Sequence, residues 1–395
     1  MKEIDIPTGW KKVKLKDVLK ELNERNKDEK VKRVLSVTNS NGFVNQKDYF
    51  DRNVHSEDIS KYKIIKKDEF AYNPSRINVG SINILKEFEN GILSPMYIIF
   101  EIDKKEVIPE YFKYYFQTNT FLENVKMNTQ GSVRDSLSFN ALLNFDYSYP
   151  DIEEQQKIVG VLDNTDKIIN NIYKEYEYYK MLKEKLDLVL KRGLNQKLVK
   201  TSIGKVGCNW DIIKAGDMFE NISIKNKENE KVLSVTQDRG VILREECVMD
   251  IKYSNEGLKN YKYVEKGNYI ISLRSFQGGI EYCDKNGIVS PAYTVLKNKR
   301  EINYDYYRHY FKSKSFIRDL DLVVEGIRDG KQISYSKFKD IYIVKPEIED
   351  QNIIADLLNI IEKKNKTLNK KIEQYKMLKK GLLQKLLTGK VKVNV

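Results

Sequence analysis

Two long stretches of this 395-residue chain carry apolar residues at helical spacing, at steps of three or four throughout the first and, but for one gap of seven between Ile361 and Leu368, in the second. In the first they fall at Ile158, Leu162, Thr165, Ile169, Ile172, Tyr176, Tyr179, Leu182, Leu186 and Val189; in the second at Ile354, Leu357, Ile361, Leu368, Ile372, Tyr375, Leu378, Leu382 and Leu386. That spacing predicts helices with one continuous apolar seam. Pro150 and Pro346 stand just upstream, where a helix has not yet begun, and Gly193 and Gly381 are weak points in the pattern. A straight helix over the 44 residues from Gln155 to Leu198 would reach about 66 Å. An amphipathic helix that long needs a partner for its stripe. The two seams can cover each other as an antiparallel pair, or each can fold back on its own domain.

The rest of the chain reads differently. Short runs rich in β-branched and aromatic residues predict strands at Arg33–Thr38, Tyr97–Glu101, Lys231–Thr236, Tyr269–Leu273 and Ala292–Leu296. Aromatics at helical spacing predict helices at Glu110–Phe121 and Tyr304–Phe316. The fold class is therefore α+β: two globular domains, 1–150 and 201–346, separated by long helices at 151–200 and 347–395.

These blocks are two copies of one plan. Val34–Leu35–Ser36–Val37–Thr38 returns as Val232–Leu233–Ser234–Val235–Thr236, Ser94–Pro95–x–Tyr97 as Ser290–Pro291–x–Tyr293, and Arg134–Asp135 as Arg328–Asp329. Trp10, Lys14 and Asp17 answer to Trp210, Lys214 and Asp217; Glu153–Glu154–Gln155 to Glu349–Asp350–Gln351; Lys180–Met181–Leu182–Lys183 to Lys376–Met377–Leu378–Lys379. The offset stays between 194 and 200, far too long for a solenoid repeat. A pseudo-two-fold protein suits a ligand read as two half-sites, and duplex DNA is the commonest such ligand. Near the end of the helices a second match, Leu190–Lys191–Arg192–Gly193–Leu194 with Leu378–Lys379–Lys380–Gly381–Leu382, has an offset of 188. On that alignment the first helix carries eight additional residues and the central arm is the longer one.

The net charge of +13 points to a polyanion, but residues 351–395 alone hold 11 basic and 3 acidic residues while both domains are near balance. A nonspecific DNA coater would spread its charge over the domains. The C-terminal lysines, among them Lys363, Lys364, Lys366, Lys370, Lys371, Lys379 and Lys380, have two readings: a face toward DNA, or a solvated or partner-docking face. No apolar run is long enough to span a bilayer, no secretory signal pattern opens the chain, and three widely spaced cysteines make no disulfide framework. The expected setting is the cytoplasm.

Catalytic motifs are missing. Asn73–Pro74–Ser75–Arg76 lacks the second proline and the aromatic of an amino-methyltransferase motif, and no glycine-rich cofactor loop follows a strand. Pro150–Asp151 is not completed by an acidic-x-Lys of a nuclease site. Gly326–Gly330–Lys331 falls one residue short of a phosphate-binding loop and lacks its Ser or Thr. His55 and His309 sit at unrelated positions, and no cysteine has zinc-ligand spacing. The chain reads as noncatalytic, with no metal and no cofactor of its own.

Collinear elements in both halves carry a resemblance. They are the Trp followed by Lys-x-x-Asp; Asn73–Pro74–Ser75–Arg76 leading to Val79–Gly80–Ser81–Ile82; Gly131–Ser132–Val133–Arg134; and Tyr149–Pro150–Asp151–Ile152–Glu153–Glu154–Gln155, opening a long helix. Together they resemble the specificity (S) subunit of type I restriction–modification systems, over essentially the whole chain. The Pro-x-x-Glu-x-Gln start of a long helix is the most specific part; the second copy is looser, lacking the Asn-Pro and reading Lys345–Pro346. The resemblance implies target recognition domains that each read one part of a bipartite double-stranded DNA site, on helices forming an antiparallel coiled coil. It implies docking of two methyltransferase (M) subunits that methylate adenine N6 with S-adenosylmethionine, joined in restriction complexes by nuclease–translocase (R) subunits. The alternative is a stand-alone DNA-binding coiled-coil scaffold without a restriction partner.

Glycine-adjacent loops bearing Arg, Asn, Gln or Ser supply the side chains that pair with base edges and phosphates. They nominate Ser75, Arg76, Asn78, Gln130, Ser132 and Arg134 in the first domain. In the second they nominate Arg274, Ser275, Gln277, Arg328, Lys331 and Gln332. Arg134–Asp135 and Arg328–Asp329 recur in both copies, so they fit intradomain ion pairs as well as DNA contacts. Asn78 and Gln277 differ between copies, as base-reading residues should, and Trp10 and Trp210 are expected core anchors.

Overall fold

A computed structural model describes residues 7–39, 42–49, 58–129, 136–193, 198–201, 204–247, 255–273, 275–324 and 333–393. The chain divides into two compact units: head one, 1–172 with 371–395, and head two, 173–370. Each long helix is therefore shared, beginning in one unit and ending in the other. The expected segments 1–150, 151–200, 201–346 and 347–395 describe the order of the chain; the compact units cut through both helices.

Head one is built on a four-stranded antiparallel sheet in the order Leu19–Leu22, Ile98–Ile102, Phe70–Tyr72, Ile82–Ile84. Lys11–Lys14 pairs with Asp146–Tyr149, Leu35–Val37 with Phe43–Asn45, and Lys63–Lys66 with Asn90–Leu93. Head two repeats every pairing. Its sheet runs Phe219–Ile222, Thr294–Asn298, Tyr269–Ile271, Glu281–Tyr282. The accessory pairs are Asp211–Lys214 with Tyr342–Lys345, Leu233–Thr236 with Gly240–Leu243, and Lys262–Val264 with Gly287–Val289. The expected strands are present, displaced by a residue or two at their ends, as fraying termini allow.

Aromatics fill both cores. Phe70, Phe100, Phe112 and Phe116 form one contiguous cluster in head one, and Phe219, Tyr269, Tyr307 and Phe311 another in head two. Fully burying such side chains stabilises by about 1.5–3 kcal/mol each. The single helices expected at 110–121 and 304–316 are each two helices, Pro109–Tyr115 with Asn119–Thr129 and Tyr304–Lys312 with Lys314–Val324. The break has the same cause in both. Thr118 Oγ1 donates to the Tyr115 carbonyl and accepts the Phe121 amide, and Ser313 Oγ does the same with Tyr310 and Phe316. A hydroxyl there ends one helix and caps the next.

The long helices span Ile152–Leu186 and Ile348–Leu386. The first stops short of the expected Leu198. A separate turn, Val189–Arg192, redirects the chain and carries Leu190 into the core of head two, where the Tyr306 hydroxyl donates to the Leu190 carbonyl (2.5 Å). Gly193 ends that turn at φ 75°, ψ 169°. In head one Leu386 is likewise buried and followed three residues on by Gly389 at φ 66°. Structural equivalence therefore keeps the offset of 196 (Leu190 with Leu386, Gly193 with Gly389). The 188-offset match pairs buried Leu190 with half-exposed Leu378, so the first helix has no eight-residue excess; the second is the longer, 39 residues against 35. In the second seam, Leu357 and Leu378 lie at the surface, while Leu358 and Leu383 are buried. A straight helix of 3.6 residues per turn drifts off a fixed stripe in this way.

Candidate nucleic-acid interface

In head one the chain leaves the strand Phe70–Tyr72 into a tight loop. The buried Asn73 takes the Ser75 amide on its side-chain oxygen and the Arg76 amide on its carbonyl. Ser81 closes the loop: its amide donates to the Arg76 carbonyl and its hydroxyl to the Val37 carbonyl (2.8 Å). Gly80, at φ 89°, allows the reversal. Ser75, Arg76 and Asn78 are thereby exposed, and among the described residues the Arg76 guanidinium has no partner. Gln130, Ser132 and Arg134 lie outside the described residues.

In head two the corresponding stretch follows the strand Tyr269–Ile271 and includes the short helix Ser275–Gly278. Ser275 is buried, and its hydroxyl accepts the Ser272 amide (2.8 Å), so it shapes the loop from inside instead of facing a ligand. Gln277 is exposed. Gly279, at φ 80°, lies so close to the Phe311 carbonyl that a Cβ would stand 2.2 Å from that oxygen. Arg274, Arg328, Lys331 and Gln332 lie outside the described residues.

Beside each loop stands a hairpin whose first strand comes from the repeated Val-Leu-Ser-Val-Thr. The last residue of the pentad clamps the turn in both heads, Thr38 Oγ1 on the Gly42 carbonyl (3.1 Å) and Thr236 Oγ1 on the Gly240 carbonyl (3.0 Å). In head one, Asn39, Asn78, Val79, Gly80 and Asn83 line one cleft. In head two, Gln237, Arg239, Ser272, Gly279 and Glu281 line another, and Gln237 Nε2 lies 3.5 Å from Gln277 Oε1. The pentads are predicted as strands and mark the duplication, but the residues that follow them are not among the predicted contacts. The signal was available: an identical pentad followed by unlike polar triplets before a shared glycine.

Asn83 and Glu281 hold the same sheet register, opposite Ala71 and Ile270, and lie beside Gly42 and Gly240 at the bases of these hairpins. Asn83 Oδ1 accepts the Ile84 amide, whereas Glu281 pairs with Lys312. Burial pushes the Glu281 carboxyl above its ordinary value against the lowering effect of Lys312. A lysine under each sheet is also duplicated. Lys63 Nζ donates to the Tyr97 carbonyl and Lys262 Nζ to the Tyr293 carbonyl, the tyrosines of the two Ser-Pro-x-Tyr motifs, and burial lowers the pKa of both lysines.

The helix-opening motif owes its glutamine to two main-chain demands. Gln155 Oε1 accepts the Ile108 amide, and its Nε2 donates to the carbonyls of Glu106 and Pro150. Gln351 does likewise with the Asn303 amide and the Pro346 carbonyl. Both side chains are buried, and each ties a long helix to the start of the aromatic helix that precedes it in the chain. Further along, Tyr114 donates to Asp163 and Asp166, and Lys379 pairs with Asp166 at 2.7 Å. The 196-offset equivalents in head two are Asn359 and Glu362, held by Arg308 and His309, with Lys183 acting electrostatically on both His309 and Glu362. Burial foremost, then the Arg308 charge, lowers the His309 pKa. Lys364 pairs with Glu175 (2.7 Å), while Lys363, Lys366, Lys370, Lys371 and Lys380 are exposed. Trp10 and Trp210 are both buried at the head cores; Trp210 Nε1 donates to Asp350 (2.7 Å). Among the described residues no group of His, Cys, Asp or Glu is placed to hold a metal, and no helix is long and apolar enough to cross a membrane.

Two copies of one head, with unlike polar side chains on matched loops, define a two-headed recognition protein. The sequence model of the type I restriction modification DNA specificity domain matches residues 7–178 and again 208–376, and the chain belongs to that family. The putative type I restriction enzyme MjaX specificity subunit of Methanocaldococcus jannaschii is 25% identical over 414 residues, covering 98% of this chain and 95% of that one. Among solved structures, the type I restriction–modification S subunit of M. genitalium shares the fold with a TM-score of 0.55 at 11% identity, covering 100% of this chain and 98% of that one. A chain from work on complex assembly and conformational transition of the type I R-M system gives 0.56 at 13% identity, covering 98% and 100%.

Proposed function

We infer that this chain is the DNA-specificity subunit of a cytoplasmic type I restriction–modification complex, in which each head reads one part of a bipartite site. The observation that carries this reading is the pairing, in each head, of a repeated hairpin scaffold with exposed side chains that differ between heads. Scaffold identity with tip divergence is what two readers of different half-sites require. The long helices form an antiparallel coiled coil that sets the unread spacer and docks two M subunits, which bind S-adenosylmethionine and methylate adenine N6. The ion pairs Asp166–Lys379 within head one and Glu175–Lys364 within head two support that pairing. R subunits join the same assembly in restriction. The chain itself contributes recognition and no bond-making step.

Long-read methylation sequencing of the host, with and without this chain, tests the reading. A bipartite N6-methyladenine motif should vanish on deletion; an unchanged methylome overturns it. Calorimetry that showed stoichiometric S-adenosylmethionine binding to the isolated chain would also contradict it.

A further inference from the structure

The geometry points to the hairpin tip at 236–240 as a base-reading element of head two, with Arg239 as its guanine-reading side chain; this rests on the function proposed above. Leu233–Thr236 and Gly240–Leu243 pair in register from Leu233 with Leu243 to Thr236 with Gly240, so three residues, Gln237, Asp238 and Arg239, project beyond the ladder. All three are exposed. The tip is held at its base: Thr236 Oγ1 donates to the Gly240 carbonyl and accepts the Arg239 amide (3.1 Å), and Gly240 turns the chain at φ 69°. Exposed side chains on a fixed backbone lose less freedom on binding than those on a loose loop.

The Arg239 guanidinium gives one N–H to the Glu246 carbonyl at 3.3 Å, and among the described residues nothing accepts its remaining donors. Guanine is the base that offers two acceptors, O6 and N7, to such a fork in the major groove. Beside it Gln237 and Gln277 place two amides together, and Gly278 permits that approach, since a Cβ there would stand 3.0 Å from Gln237 Cγ. Underneath, Glu281 Oε2 lies 3.7 Å from where a Cβ on Gly240 would be, so the Glu281–Lys312 pair supports the hairpin base. Glu281 is a positioning residue here, and the tip makes the contact.

The same hairpin body in head one carries Asn39–Ser40–Asn41 between Thr38 and Gly42, three residues again and without arginine. The same hairpin scaffold with a tip of equal length and different chemistry is the arrangement in which specificity changes while the fold does not. A bulk electrostatic role for Arg239 makes a different prediction. A phosphate contact weakens binding uniformly across sequences, whereas a base contact relaxes one position.

The test uses the full chain assembled with its methyltransferase subunits, read by long-read methylation sequencing. R239Q should lower discrimination for guanine at one position of one half-site by roughly ten- to hundred-fold, leaving the other half-site unchanged. Q237N/D238S/R239N, which gives head two the tip sequence of head one at equal length, should change that same half-site and serves as the check if the single variant assembles poorly. Weaker methylation with an unaltered motif in both variants overturns the assignment of the tip while leaving the proposed function standing. A wild-type complex that methylates no bipartite motif overturns both.

Discussion

At the scale of single residues, the most informative side chains are the two buried glutamines. A buried main-chain N–H left without an acceptor costs about 1–3 kcal/mol. Gln155→Leu strands the Ile108 amide and the carbonyls of Glu106 and Pro150, and Gln351→Leu strands the Asn303 amide and the Pro346 carbonyl. Each should destabilise by about 2–4 kcal/mol in urea unfolding; a loss under about 0.5 kcal/mol would mean that the clamp contributes nothing. His309 gives a pH signature. Its folded pKa lies below the unfolded value of about 6.5, so the folded chain prefers the neutral ring. Its contribution is therefore complete above about pH 6.5 and is lost as pH falls toward the folded value. The groups facing it are Arg308, Asn359, Glu362 and Lys183, and the carboxylates Asp305 and Glu362 are held low, so they titrate in a more acidic range. His309→Tyr, which copies Tyr114 of head one, should flatten the stability-against-pH slope just below about pH 6.5, measured by thermal unfolding. The sequence exposed the glutamines as a repeated motif but not their role. A side chain that satisfies main-chain groups 47 or 48 residues away has no local pattern.

At the scale of elements, the two glycines that interrupt the helical patterns have opposite meanings. Gly193 ends a helical turn at φ 75°, ψ 169°, a region almost closed to residues with a Cβ. Gly381 sits within Ile348–Leu386 with open space around it. Gly193→Ala should therefore destabilise by about 1–3 kcal/mol, and Gly381→Ala should stabilise by about 0.5–1 kcal/mol. Differential scanning calorimetry checks both, and like signs would refute the assignment. The sequence treated both as weak points because periodicity registers only the missing side chain. Strand positions were legible because β-branched runs bounded by Asn, Asp, Gly and Pro are a local signal. The helix breaks at Thr118 and Ser313 were hidden: a single hydroxyl inside an aromatic-rich pattern decides whether the pattern is one helix or two.

At the scale of the whole molecule, the duplication was legible except at the helix ends, because the offset of 196 is carried by residues whose structural duties recur. Gln155 and Gln351 clamp; Lys183 and Lys379 face equivalent acidic positions; Leu190 and Leu386 fill equivalent core sites. The 188-offset match misled because a lysine-rich helical run resembles itself at several registers, whereas burial selects only one. If the helices set the unread spacer, their length is the variable to change. Seven residues added to each helix, after Ile172 and after Lys370, preserve the seam's facing because seven is close to two full turns. They add about 10.5 Å to the axis, equal to at most about three base pairs of duplex at 3.4 Å each. Neither insertion touches a hairpin tip or a loop of either head. Methylation sequencing should then show both half-sites unchanged and a longer gap between them. An unaltered gap would separate recognition from the helices and assign the spacing to the partner subunits.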